Sequence, residues 1–323
     1  SSSSTATTSS SSSLPMISFG GGNSSSNKTP SLPRDVKDAV SQCRTAVQNA
    51  LQKRLSRMDV EFPVGTKFGI ETSKKNSKKS SSSSDGVTKD TLDTSDRELA
   101  RLFVEMFQPV GGQNIAVVFT DDRLADLAKS RWKGEVNSDC VISSMNRRAK
   151  KKPKAKSRGF AAKLAAEMGD DPSSSSSSGP FSLPANCEVA LFISPGPKEL
   201  IAVERICRDV GMGTLVVLLN ARLGAVEKFG SEEAKRLFCE EFEPVFHLGA
   251  APQDVAPDCL LFRSFPEEWV MARKPKVGPP KTIGMSEKRM TREECLVAFE
   301  SIEVGKGEEV VEGVLENVAN WFT

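Results

Sequence analysis

Tyrosine is absent from the 323-residue chain, and histidine occurs once, at His247. The first absence removes any phenolic acid or nucleophile. The second makes a multi-histidine metal site impossible and leaves any histidine-dependent triad reliant on His247 alone. The seven cysteines, at positions 43, 140, 187, 207, 239, 259 and 295, form no CxxC pair. That excludes zinc-ribbon and thioredoxin-type arrangements, and an odd count without a framework fits a reducing compartment. No stretch approaches the ~18 continuous apolar residues of a membrane-spanning helix. Neither of the common nucleotide-binding loops, GxGxxG and GxxxxGK followed by Ser or Thr, is present, and Gly20-Gly21-Gly22 lies in a serine-rich head. Acidic residues are missing until Asp35.

Charge is present but unevenly placed. Lys74, Lys75, Lys78 and Lys79 form one basic tract, and Arg147, Arg148, Lys150, Lys151, Lys152, Lys154, Lys156 and Arg158 form another. Together they carry twelve of the positive charges, so a formal net charge of +2 leaves −10 on the remainder. The expected arrangement is an acidic folded body with basic appendages. Hydrophobic residues make up 38% of the chain, diluted by the serine tracts. Residues 1–31 cannot bury enough apolar surface to offset their ordering entropy and are expected to be disordered. Their serine-rich, acid-poor composition suits an organelle transit peptide and equally a plain low-complexity tail.

The unit around which the rest is arranged runs from Asn186 to Leu223. Val189-Ala190-Leu191-Phe192-Ile193 and Leu215-Val216-Val217-Leu218-Leu219 are wholly apolar runs, as in strands covered on both faces. Between them Leu200, Val203, Ile206, Cys207 and Val210 recur at helical spacing, with Pro197 near the start and Gly211 as the stop. This pattern predicts a right-handed βαβ crossover. A second crossover is predicted from a strand at 59–62, a helix at 95–107 opened by a Ser95/Glu98 capping box, and a strand at 115–119. Ser231 with two glutamates opens a helix ending near Phe242. Val245–Leu248 and Leu260–Phe262 are further strands, and Trp269–Ala272 is expected to pair antiparallel at an edge. Thr291 with Glu294 caps a later helix, and Val311, Val314, Leu315, Val318 and Phe322 form a last one.

The fold class expected is therefore α/β: a mostly parallel, Rossmann-like open sheet flanked by helices, with an antiparallel edge strand and a C-terminal helical extension at 291–323. One domain spans 32–290, interrupted by low-complexity insertions at 73–93 and 133–180.

In such a sheet, ligands sit beyond the carboxyl ends of the strands. Those ends carry Asp121 and Asp122, Ser194 and Gly196, and Asn220 and Arg222. Two carboxylates, an arginine and helix N-termini could hold a phosphorylated ligand or metal, whereas Asp121 serves equally well as a helix N-cap. The basic run 147–158 could meet an anionic partner surface, but no aromatic interleaves it, so nucleic acid is not expected. Trp269 is a candidate recognition residue, but an edge-strand core role fits it better. His247 reads as structural. No catalytic residue, metal ligand or cofactor is assigned.

Several stretches, in order, resemble a plastid and cyanobacterial family catalogued as a domain of unknown function, DUF1995. They are LPRDVKDAVSQCRTAVQNAL, VVFTDDRLADLAKSRW, ISPGPKELIAVERI, VVLLNARL, LFCEEFEPVFHL and FRSFPEEWVMAR, covering most of residues 32–275. The chain departs from the family pattern at Ala221, where proline is usual, and at Glu268, where a proline precedes the tryptophan. Family members include the plant LOW PSII ACCUMULATION assembly proteins of the third type. The resemblance implies a non-enzymatic plastid factor, stromal and able to touch the thylakoid surface, that helps photosystem II assemble by binding photosystem subunits or other assembly factors. The alternative is a ligand-binding or enzymatic domain for a nucleotide or phosphorylated small molecule.

Overall fold

Apolar runs, helical stripes and turn residues settle into fifteen principal elements in a computed structural model, which describes residues 30–68, 89–134, 139–146, 181–274 and 280–301. The serine-rich head, the lysine–serine tract, the basic run 147–158 with all eight of its candidate side chains, and the segment carrying Val311 to Phe322 lie outside these ranges. In chain order the elements are α1 (Val36–Gln52), β1 (Arg57–Glu61), α2 (Lys89–Phe107), β2 (Ile115–Asp121), α3 (Asp122–Arg131), β3 (Val141–Asn146), β4 (Val189–Ile193), α4 (Pro197–Val210), β5 (Leu215–Leu219), α5 (Glu232–Arg236), β6 (Glu243–Ala250), β7 (Cys259–Ser264), β8 (Trp269–Arg273), β9 (Lys281–Ser286) and α6 (Arg292–Glu300). They fall into two units, one holding Arg54–Val60 and Lys67–Glu243, the other the remaining segments.

The first unit is the parallel α/β part. Its strands run β3-β2-β4-β5-β1, with every pair parallel. β4 and β5 are adjacent, Val189 opposite Leu215 and Ile193 opposite Leu219, as the crossover pattern predicts. No β4 residue is more than 3% exposed. Ala190, Phe192, Val216 and Leu218 pack under Leu200, Val203 and Ile206 of α4 and under Phe238 and Phe242. Alternate residues of a strand point to opposite faces, so Leu191, Ile193, Val217 and Leu219 face the other way. On that side α2 lies along β2, β4 and β5 with Leu99, Phe103 and Phe107 buried. The second predicted crossover is also present, β1 to β2 through α2, but β4 and β5 lie between its two strands.

Two features of this unit differ from expectation. Residues 141–146, inside the stretch read as an insertion, form β3 beside β2. The sequence VISSMN lacks an apolar run because this outer strand is only partly buried. α2 starts at Lys89, inside the other stretch read as an insertion, so Ser95 is a buried mid-helix residue and not a cap. Asp90 occupies the first turn, where its charge suits the helix dipole.

Arg57 closes the opposite end of this sheet. The side chain, 4% exposed, donates from Nη1 to the carbonyls of Ser56 and Thr214, each at 2.8 Å. From Nη2 it donates to the carbonyls of Cys207, at 3.3 Å, and Gly211. Cys207 and Gly211 carry the orphan carbonyls at the end of α4, where a guanidinium satisfies acceptors and complements the dipole at once. Gly211 itself sits at φ +54, which a glycine adopts without a Cβ penalty.

The second unit is antiparallel. β6, β7, β8 and β9 form a meander in that order. Antiparallel pairing, foreseen at Trp269, thus extends over four strands, and β8 lies between β7 and β9 instead of at an edge. β9 escaped the sequence reading because its apolar content is a single Ile and Met around Gly284. α6 covers one face, and Cys259, Leu261, Trp269, Met271, Met290 and Cys295 form the core there. Its N-terminus carries the predicted capping box: the Glu294 amide donates to Thr291 Oγ1 at 3.2 Å, and the Thr291 amide donates to Glu294 Oε2 at 2.8 Å. α1 is capped by Asp35, whose Oδ1 accepts from the Asp38 amide at 2.8 Å.

Replacing Arg57 by Met, which keeps the apolar stem and removes the donors, is expected to lower unfolding free energy by roughly 3 kcal/mol, because buried carbonyls lose their partners. Arg57→Lys should recover only part of that, since an ammonium cannot reproduce the planar fork. Urea denaturation of the three proteins measures both.

Candidate functional site

The parallel strands deliver their carboxyl ends to one edge, and the turns there are tightly specified. Because Ile193 pairs with Leu219, the chain leaves β4 and β5 at the same level. The Ser194 amide donates to the Leu219 carbonyl at 2.7 Å, and the Asn220 amide to the Val60 carbonyl at 2.8 Å. Ser194, Asn220 and Arg222 then take left-handed backbone conformations, with φ of 46, 56 and 52. For residues other than glycine such conformations cost about 1–2 kcal/mol each, with asparagine the most tolerant.

Side-chain hydrogen bonds offset that cost. Ser194 Oγ donates to Asp96 Oδ2 at 2.6 Å, and Asn220 Nδ2 donates to Asp96 Oδ1 at 2.8 Å. Asp96 comes from α2, so one carboxylate ties a helix to the ends of two strands. Burial raises its pKa above the ordinary carboxylate value. The two hydrogen bonds and the nearby Arg222 oppose that shift, and Asp93 reinforces it. Asp93 is itself paired with Arg123 of α3.

The remaining candidates are occupied in other ways. Asp121 Oδ1 accepts from the Leu124 amide at 3.0 Å, the N-cap role weighed above. Asp122 Oδ1 accepts from Ser144 Oγ on β3. Gly196 is the N-cap of α4, and a Cβ there would lie 2.9 Å from Glu199 Oε2, so a larger residue would have to displace that flexible side chain. Glu199 Oε1 in turn accepts from Asn146 Nδ2 at 2.8 Å.

The six predicted residues therefore divide. Ser194 and Asn220 converge on Asp96, with Arg222 acting on it through space, while Asp121, Asp122 and Gly196 belong to separate local contacts. Sequence reasoning missed Asp96, Ser144 and Asn146. Asp96 sits in a helix with no local mark of its role, and Ser144 and Asn146 lie in a strand without an apolar run. Among the described residues, no group of three or more His, Cys, Asp or Glu side chains could hold a metal ion.

Neither cysteine nor histidine offers a better centre. Burial raises the thiols of Cys140, Cys207 and Cys295 to about 11 and that of Cys259 to about 12, which keeps them as unreactive thiols at neutral pH. His247, in the antiparallel unit, is 1% exposed, with Nδ1 3.3 Å from Glu61 Oε2 and its ring centroid 4.9 Å from that of Trp269. Trp269 is likewise 1% exposed, so it is a core residue and not a recognition surface. Arg263 and Arg289 lie over its indole, with guanidinium carbons 5.8 and 5.6 Å from the ring centroid.

Fold and site together define an α/β protein whose strand-end polar groups are built around a partly buried carboxylate. The chain belongs to the DUF1995 family, a domain of unknown function, whose model matches residues 33–296. No curated protein and no solved structure matches it.

Brief alkylation of the native chain is expected to label the exposed Cys239 well before Cys43, Cys207, Cys259 and Cys295, as read by peptide mass spectrometry. Asp96 makes a pH-dependent contribution. Its folded-state pKa lies above the ordinary one, so the folded state holds this proton more tightly than the unfolded chain. The associated stability is complete below the ordinary carboxylate value and is lost as pH rises through the raised value. Asp96→Asn should remove that component, so the gap between the two urea midpoints should shift with pH across this window and level off above it.

Proposed function

We propose that the chain is a non-enzymatic plastid factor that assists photosystem II assembly by binding other proteins, from the stroma or at the thylakoid surface. The biological setting rests on the resemblance to the photosystem assembly proteins. The mode of action rests on one observation: at the strand ends, where an α/β fold carries its reactive groups, the acids and amides are engaged with one another. Asp96 holds Ser194 and Asn220, Asp121 caps α3, Asp122 accepts from Ser144 and Glu199 from Asn146. A catalytic centre needs a group poised for proton transfer or attack. These side chains are spent on shaping turns.

A second reading, a small ligand bound at the strand ends, draws support from the three left-handed residues beside Asp96, since strained backbone concentrates at functional sites. Charge weighs against a phosphorylated ligand there. Asp93, Asp96, Asp121, Asp122 and Glu199 outnumber Arg123 and Arg222, and Arg123 is already paired with Asp93. Thermal-shift screening with nucleotides and sugar phosphates separates the readings, because a ligand specific for the folded state raises its stability.

Under the assembly reading, proximity labelling in the native organelle recovers photosystem II subunits or their assembly factors, and depletion lowers photosystem II accumulation. Normal accumulation after complete loss of the chain overturns it.

A further inference from the structure

Between the first two turns of α4 and residues 226–238, both in the parallel unit, lies an open groove of about 210 Å³. Its lining includes Leu200, Ile201, Val226, Phe229 and Phe238. The wall is aromatic: Phe229 stacks on Phe238 with centroids 5.7 Å apart, and Phe238 stacks on Phe242 at 5.5 Å. The core of the unit does not account for Ile201. Leu200, Val203 and Ile206 make the buried face of α4, whereas Ile201 is 61% exposed at the groove.

The charges around the groove are unbalanced. Lys198 and Lys228 line it and are exposed, and neither forms an ion pair among the described residues. The one acidic lining residue, Glu204, is engaged by Arg208 Nη2 at 2.8 Å. Glu227, next to Lys228 in sequence, does not line the groove. A preformed apolar slot with two uncompensated ammonium groups favours an apolar anchor carried on an acidic segment.

We infer that this groove is a docking site for a short amphipathic segment of another protein, which inserts a Leu- or Phe-sized anchor beside Ile201 and sets flanking carboxylates against Lys198 and Lys228. The inference rests on the protein-binding reading above and names its surface and the chemistry of its partner. The apolar anchor supplies affinity through burial at the slot. The lysines supply selection between partners and speed of encounter, both sensitive to salt.

The test uses the full chain and fluorescein-labelled amphipathic peptides that share one Leu/Phe anchor pattern and differ only in flanks of Glu or Lys. Fluorescence anisotropy should show binding of the Glu-flanked peptide, weakened by salt. Ile201→Asp and the double variant Lys198→Glu/Lys228→Glu should each weaken it about tenfold or more, and the double variant should reverse the preference toward Lys flanks. All three positions are exposed, so these variants are expected to fold as the parent does. Equal binding of both flanks, no effect of Ile201→Asp, or binding only to phosphatidylcholine vesicles containing phosphatidylglycerol overturns the assignment. Capture of photosystem subunits that survives Ile201→Asp leaves the assembly reading intact and rejects this surface. Loss of capture in the parent chain rejects the assembly reading whatever the peptides do.

Discussion

Covering both faces of a five-residue strand leaves its backbone only one set of partners, the neighbouring strands. β4 is in that position, and β5 nearly so. Their side chains fill the space between α4 on one side and α2 on the other, each buried Val, Leu or Ile contributing about 1.5–3 kcal/mol. β4 and β5 are joined by α4 lying across one face, and a crossover of that kind returns the chain parallel to the strand it left. Parallel strands in turn bring all their carboxyl ends to one edge. The meeting of Ser194, Asn220 and Asp96 there follows from that burial requirement.

Asp96 shows how the turns and the layers depend on each other. Even a partly buried carboxylate is costly without donors, and left-handed Ser194 and Arg222 are costly without compensation. The hydrogen bonds of Ser194 and Asn220 to one carboxylate relieve part of both costs, and they lock α2 to the ends of β4 and β5. Arg57 does the equivalent at the other end by binding the last carbonyls of α4. Between these two anchors the buried strands β4 and β5 carry only apolar side chains, while Asp59 of β1 is a buried carboxylate within the same sheet. On the surface of the parallel unit, Ile201 beside the slot and Met212 are the exposed large hydrophobic residues among those described.

Legibility from sequence followed physical signal strength. Val189–Ile193, Leu215–Leu219 and Ile115–Phe119 were readable because two-sided burial writes itself as an uninterrupted apolar run. The caps at Ser231 and Thr291 and the stop at Gly211 were readable because each depends on one residue type at a fixed offset. β3 and β9 were not, since half-buried outer strands need no such run. Ser95 and Glu98 have the spacing of a capping box without its position, because the helix begins a turn and a half earlier. Of the site, Ser194 and Asn220 could be placed at strand ends by counting from the apolar runs. Their partner Asp96 could not, because a contact spanning 98 and 124 positions leaves no local pattern. For Trp269 the core role weighed beside the surface one is what the structure has, and only its edge position was wrong, because β9, which pairs with β8 there, left no apolar run.

The outermost strands bear on how this chain behaves in crowded solution. A parallel core this apolar would template further strands if its borders were equally apolar and regular. Instead β3, an outer strand of the parallel unit among the described residues, carries two serines and an exposed asparagine; in the antiparallel unit, β9 begins with exposed Lys281 and Thr282 and meets β8 with a break in register at Met271/Ala272. Such polar, irregular margins discourage recruitment of a second copy edge to edge. The molecule can thus hold a strongly self-adhesive interior while resisting runaway β-aggregation.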